Sequence, residues 1–335
     1  MSAINARDAL RQALYEEMER DPSIVYLGED VGLGGLLDVV RGLAERFGRD
    51  RIIPTPISEA GFVAAALGMA QAGLRPLVEI MWADLSLCAA DSILNGIAKM
   101  HYKSGGLVSV PLVIMMPQGG GVGHGNSQSQ CVEALFGHLP GMKIVCPGTV
   151  YDAKGLLKTS IRDPNPVIFI EPCTLMFPWP HRKGVPLHTE EVPDEEYLIP
   201  LGRADIKRTG HDVTVVCYGS MVRKTLAAAQ ELASSQISVE VVDLRSLIPM
   251  DVETIFTSVD KTRRLVVAQE AHRHLGFGAE IAAVVGERMF KRLLGPVLRV
   301  GALDVPIPQY PGLEHMVLPG VESIVAMVKR AMTAS

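Results

Sequence analysis

A chain of 335 residues is too long for one ordinary core and implies two domains. Its net charge of −5, with no compensating Lys/Arg run, gives no footprint for nucleic acid, and no apolar run is long enough to span a membrane. With 48% hydrophobic but only 5% aromatic residues, the interior must be packed from Ala, Val, Leu, Ile and Met. Cys88, Cys131, Cys146, Cys173 and Cys217 are scattered and form no Cys-x-x-Cys pair, so neither a disulfide framework nor a zinc site is expected. Together with Asp8, Glu16 and Glu17, which argue against a transit peptide, they suggest a soluble protein of a reducing cytoplasm.

In chain order, Ala9, Leu10, Ala13, Leu14 and Met18 recur at helical spacing and predict an amphipathic first helix. Ile24–Leu27, Leu77–Met81, Leu112–Met116, Ile144–Cys146 and Val167–Ile170 read as buried strands. Helical stretches lie between them, notably Ser86–Met100 and Tyr151–Ile161. Uninterrupted apolar strands separated by helices predict a mainly parallel sheet covered on both faces. The proline-rich, acidic stretch Pro178–Pro200 then reads as a linker. Beyond it, strands Val213–Cys217, Val239–Val242, Leu265–Ala268 and Val297–Val300 alternate with helices Val222–Ala233, Ala279–Met289 and Val321–Met332. The fold class is α/β, with a first domain over 1–185, a linker over 186–200 and a smaller second domain over 201–335.

Two segments carry chemical interest. Pro56-Ile57-Ser58-Glu59-Ala60-Gly61-Phe62 sets one acid in the first turn of a small-residue helix, where the helix dipole favours its charged form. Gly119-Gly120-Gly121-Val122-Gly123-His124-Gly125 follows a strand but matches neither G-x-G-x-x-G nor a P-loop, which leaves a nucleotide-binding dehydrogenase poorly supported. Two readings stand for this loop: a flexible surface segment, or a ligand loop at the carboxyl end of a parallel sheet.

Glu59's neighbourhood, with Gly28-Glu29-Asp30-Val31 and Ala72-Gly73-Leu74-Arg75-Pro76, resembles the beta subunit of thiamine-diphosphate-dependent 2-oxo acid dehydrogenases, a transketolase-like family. Ser127-Gln128-Ser129-Gln130, Glu133-Ala134-Leu135-Phe136-Gly137-His138-Leu139-Pro140-Gly141, Tyr151–Lys158, Ile161–Phe169 and Gly276-Phe277-Gly278-Ala279-Glu280 extend the resemblance over nearly the whole chain. It implies two transketolase-like domains, the first binding the pyrimidine ring, with Glu59 touching N1′ of the cofactor. Trp82 and Leu85, within the segment Glu79–Leu85, should line the ring face, with Tyr102 close by. The chain has no Gly-Asp-Gly, so an alpha subunit must bring the magnesium-bound diphosphate, in an α2β2 heterotetramer that serves a lipoyl acyltransferase core. The resemblance also implies a structural potassium ion held by Leu112, Ser160, Ile161, Asp163 and Asn165.

Two departures bear on the chemistry. The family's active-site histidine falls on Gln128, which cannot shuttle a proton near neutral pH, while His124 reads as a surface residue that could reach the same space. Leu85 stands where the family has phenylalanine. The expected activity is decarboxylation of pyruvate or a related 2-oxo acid with acyl transfer to lipoamide. The alternatives are an acetoin-cleaving or carboligating enzyme, and a non-catalytic scaffold for an alpha-like subunit. In the surplus apolar surface expected on the small-residue helix after Glu59 and on Ser86–Met100, with Leu87, Ala89, Ala90, Ile93, Leu94 and Ile97, lies the sign of an obligate partner.

Overall fold

The computed structural model describes residues 2–177 and 188–334. Pro178, Pro180 and Pro186 of the expected linker, and the 185/186 boundary, lie outside the described residues.

Before residue 200 the described strands are β1 (Ser2–Asn5), β2 (Ile24–Glu29), β3 (Ile52–Thr55), β4 (Arg75–Glu79), β5 (Val113–Gln118), β6 (Lys143–Val145), β7 (Val167–Pro172) and β8 (Thr189–Val192). After it come β9 (Asp205–Arg208), β10 (Val213–Cys217), β11 (Val239–Asp243), β12 (Ser246–Ile248), β13 (Leu265–His272) and β14 (Leu298–Ala302). The first sheet has the order β12-β6-β7-β5-β4-β2-β3 and the second β14-β13-β10-β11-β9, while β1 pairs antiparallel with β8. Within the first sheet every strand but β12 runs parallel, so their carboxyl ends share one edge.

The opening helix, Ala6–Arg20, follows its sequence signals. The Asn5 side chain accepts from the Asp8 amide at 3.1 Å, and Asp8 and Arg20 complement the dipole at the two ends. Its Ala9, Leu10, Ala13 and Leu14 are buried. Glu16 and Glu17 pair with Lys154, Lys158 and Arg162 of helix Val150–Arg162, so the almost fully buried lysines there are neutralised.

One expectation needs correction. Ser86–Met100 is not one helix: it runs as a 3-10 segment Ala83–Ala89, a π segment Ser92–Ile97 and a short α-helix Met100–Lys103. Ala89, Ile93 and Ile97 are all buried, and the stretch Ser92–Ile97 winds wider than an α-helix, with i→i+5 bonding. The Ala98 amide accordingly bonds the Ile93 carbonyl at 3.0 Å. Only part of the surplus apolar surface exists there, since Leu87 is exposed while those three residues are core. Along the expected linker, β8 pairs with β1, and Val192 and Ile199 are buried in the first domain. β12, from beyond residue 200, caps the first sheet as an antiparallel edge strand on β6. One hydrophobic core accordingly runs from Phe62 and Ile114 to Leu247, Ile255 and Phe277.

A charged knot seals the same boundary. Lys207 lies 2.5 Å from Asp152 and 3.8 Å from Asp243, and Arg245 bonds Asp152 at 3.0 Å. Burial first, and then the charge of Asp152, pushes the Asp243 carboxyl up to about 8.

Two outcomes are expected. Leu247→Ala, which empties a buried position of β12, should cost about 2–5 kcal/mol in chemical denaturation and move one common transition; separate transitions for the two halves would show that the shared strand does not couple them. Asp243 should weaken the fold as pH rises, because a folded pKa above the unfolded value of 3.8 gives stability that is complete below about pH 4 and lost by about pH 8. Asp243→Asn should therefore gain on the wild type as pH rises through that window, and parallel pH–stability curves would refute the assignment.

Candidate active site

The strand order β3-β2-β4-β5 brings four successive carboxyl-end connections side by side. In open α/β sheets such an edge is where ligands bind. The connection after β3 carries Glu59, the one after β2 begins at Glu29, the one after β4 carries Trp82 and Leu85, and the one after β5 is the glycine loop.

Glu59 opens helix Glu59–Gln71 and is only 8% exposed. Ser58 makes no side-chain cap, so the dipole of this first turn falls on Glu59. The small residues beyond it allow close packing: a Cβ on Gly61 would meet the Ser58 hydroxyl at 2.8 Å, and Phe62, Val63 and Ala66 enter the core.

Glu29, to which the sequence reading assigns no role, belongs to this centre. It is 6% exposed, and its Oε1 is buried without a hydrogen-bond partner. Burial first, and then the charges of Glu59 and Asp30, hold its carboxyl above the ordinary range. The available signal was its place in Gly28-Glu29-Asp30-Val31; nothing in that motif foretold the orphaned oxygen. Gly28 is required by close approach, since a Cβ there would lie 2.7 Å from the Glu79 carbonyl oxygen.

Glu79 opens the segment Glu79–Leu85. It is buried, accepting from the Tyr26 hydroxyl at 2.7 Å and the Leu36 amide at 3.0 Å, and burial raises its pKa. It therefore anchors the connection after β2. Trp82 is buried beyond it, and Leu85 packs against both cores of the first domain.

The glycine loop is ordered by contacts, which excludes the flexible-surface reading. Gly119, Gly121, Gly123 and Gly125 all have positive φ (96, 87, 76 and 85°). Between them, Gly120 donates to Glu270 at 2.8 Å, while Gly121 and Gly123 donate to Glu314 at 2.8 and 3.1 Å. His124 is not a surface residue: its ring lies 4.2 Å from that of Trp82 and 5.2 Å from that of Phe177. Gln128 is half-buried in the following turn, its amide donating to the Gly125 carbonyl. The Gln130 amide then donates to Asp84 at 3.2 Å, tying this turn to the segment that holds Leu85.

Tyr102 is not brought to this edge packing. It is 90% exposed on Met100–Lys103. The potassium set does gather, but at the opposite edge, before β5 and β7. The Leu112 carbonyl accepts from the Val167 amide at 2.9 Å and the Ser160 carbonyl from the Asp163 amide at 3.3 Å. Arg75 donates to the carbonyls of Ile161 and Asp163 at 2.8 and 3.3 Å. Lys143 pairs with the Asp163 carboxylate, which also accepts from Asn165. Positive charge at this turn thus comes from the chain itself, and no cluster of His, Cys, Asp and Glu among the described residues could hold a metal.

Two family profiles cover the chain: the transketolase pyrimidine binding domain matches residues 2–177 and the transketolase C-terminal domain residues 202–324. Among similar proteins is the pyruvate dehydrogenase E1 component subunit beta-2, mitochondrial, of Oryza sativa subsp. japonica, 44% identical over 329 residues, 98% of this chain and 86% of the relative. The pyruvate dehydrogenase E1 component subunit beta of Bacillus subtilis is 39% identical over 333 residues, 99% of both chains. A solved split-gene transketolase, described as an inactive β4 tetramer, superposes with a TM-score of 0.79 at 26% identity, covering 99% of each chain. On the fold, the carboxyl-edge site and these matches, the chain belongs to the transketolase-like beta subunits of thiamine-diphosphate-dependent 2-oxo acid dehydrogenases.

Proposed function

We propose that this chain is the beta subunit of a pyruvate dehydrogenase-type enzyme that decarboxylates a 2-oxo acid and passes the acyl group to lipoamide. The observation that carries the reading is the buried pair at the carboxyl edge: Glu59 in a first helical turn, beside Glu29 with an oxygen left unpaired. A buried carboxyl oxygen without a partner is costly, and a polar group of a ligand seated at this edge would repay its placement. Thiamine diphosphate, when bound, supplies the electron sink for decarboxylation. With that group bound, Glu59 would hold N1′ of its pyrimidine beside Glu29, whose carboxyl is held above the ordinary range by burial and by the charges of Glu59 and Asp30, and Trp82 with Leu85 would wall the site.

Because the chain has no Gly-Asp-Gly, the diphosphate and its magnesium fall to an alpha partner, in an α2β2 assembly. Exposed Ile57, Leu87, Tyr102 and Leu107 supply apolar surface for that partner. Potassium enters the proposal only as an addition to Arg75 and Lys143, and no step depends on it. Five free cysteines, three of them buried, are consistent with a reducing cytoplasm as the setting.

Gln128 favours one second reading, in which the acceptor is a carbonyl compound, as in acetoin-cleaving or carboligating relatives, rather than lipoamide. The scaffold alternative is opposed by the intact Glu29–Glu59 pair.

Glu59→Gln should assemble with the alpha subunit but lose about two to three orders of magnitude in turnover with an artificial electron acceptor. Near wild-type turnover would remove Glu59 from the mechanism. Gln128→His should raise the ratio of lipoamide acylation to artificial-acceptor turnover, within the roughly two to four orders that general acid–base assistance supplies. An unchanged ratio on a panel of 2-oxo acids would mean that Gln128 does not set the acceptor.

A further inference from the structure

We propose that Glu270 and Glu314 of the second domain are positioning residues for the acceptor side of the site, acting through the glycine loop. The inference rests on the functional reading above but on a different set of atoms. Glu270 lies in β13 and is 7% exposed; Glu314 lies on helix Pro311–Val317 and is 2% exposed. Their oxygens receive three backbone N–H groups from Gly120, Gly121 and Gly123. Ser220 donates to the other oxygen of Glu270, and Lys224 lies 3.8 Å from it, so this carboxylate is itself held by the second domain. Bonds from N–H to an ionised carboxylate are roughly twice as strong as neutral ones.

The geometry transmits directly. Gly123, the last residue held by Glu314, precedes His124, whose ring sits against Trp82. Gly125, in the next turn of the loop, accepts from the Gln128 amide. A glycine-rich backbone has no side chains to fix its path, so the placement of His124 and Gln128 depends on what grips its amides. The second domain thereby sets the two residues expected to handle acyl transfer, without touching substrate itself.

The test compares Glu314→Ala, Glu314→Gln and Glu270→Gln with the wild type. In the full chain, amide hydrogen exchange across 119–125 should be faster in the order wild type, Glu314→Gln, Glu314→Ala. The Trp82 fluorescence, read in a Trp179→Phe background, should shift as His124 leaves its ring. In the assembled holoenzyme, kcat/KM for a lipoyl acceptor should fall about tenfold more than turnover with an artificial acceptor in Glu314→Ala, and Glu314→Gln should recover most of it, since small misplacements of reacting groups cost up to about a hundredfold. If Glu314→Ala does not fold, exchange at Gly121 and Gly123 in Glu314→Gln decides alone. Wild-type exchange there, or equal losses with both acceptors, overturns the proposal. A wild-type holoenzyme that decarboxylates no 2-oxo acid overturns the functional reading instead, and exchange and fluorescence then judge the loop claim.

Discussion

The burial of carboxylates along one edge of a parallel sheet is the constraint around which this molecule is organised. Parallel strands send their carboxyl ends to the same side, and β2 and β4 end there in Glu29 and Glu79, with Glu133 buried just beyond β5. A charge in such a place must be paired, hydrogen-bonded or protonated. Glu79 is bonded by Tyr26 and Leu36, and Glu133 by Gln118 and Tyr218, the latter from the second domain. Glu29 alone of these keeps an orphaned oxygen, next to Glu59.

The same edge explains why the two halves are fused rather than tethered. The first domain's acids and loop amides find partners in the second: Tyr218 on Glu133, Glu270 and Glu314 on the glycine loop, Lys207 and Arg245 on Asp152. β12 adds a backbone ladder to these polar contacts, and the shared core adds apolar area. Each link removes an exposed strand edge, an unpaired charge or a patch of apolar surface that the first domain could not bury alone.

What remains exposed is as informative as what is buried. Ile57, Leu87, Tyr102 and Leu107 fall within one stretch of chain that includes the entry to the Glu59 helix. The 3-10 segment buries Ala89 and leaves Leu87 outside, and the π segment buries Ile93 and Ile97. Exposed apolar side chains of this kind, in a chain that lacks a diphosphate-binding motif, are coherent with a site completed by another subunit.

The amino-acid sequence by itself determined the two α/β units, most strands to within one or two residues, the first-turn position of Glu59 and the family. Apolar runs, helical periodicity and dipole-matched ends are local signals, and local signals survive in one dimension. It also kept open whether the glycine loop was ordered, and misjudged His124, because a residue's burial is set by neighbours distant in sequence, here Trp82 and Phe177. Three-residue β12 carries too little pattern to announce that it crosses to the other domain's sheet, and the unbroken helix expected over Ser86–Met100 yielded to the shape of the core beneath it. Only the tertiary structure could decide that Glu29 is orphaned while Glu79 is satisfied: both are acids at the end of a parallel strand, and what separates them is which hydroxyl and which amide the fold happens to bring within reach.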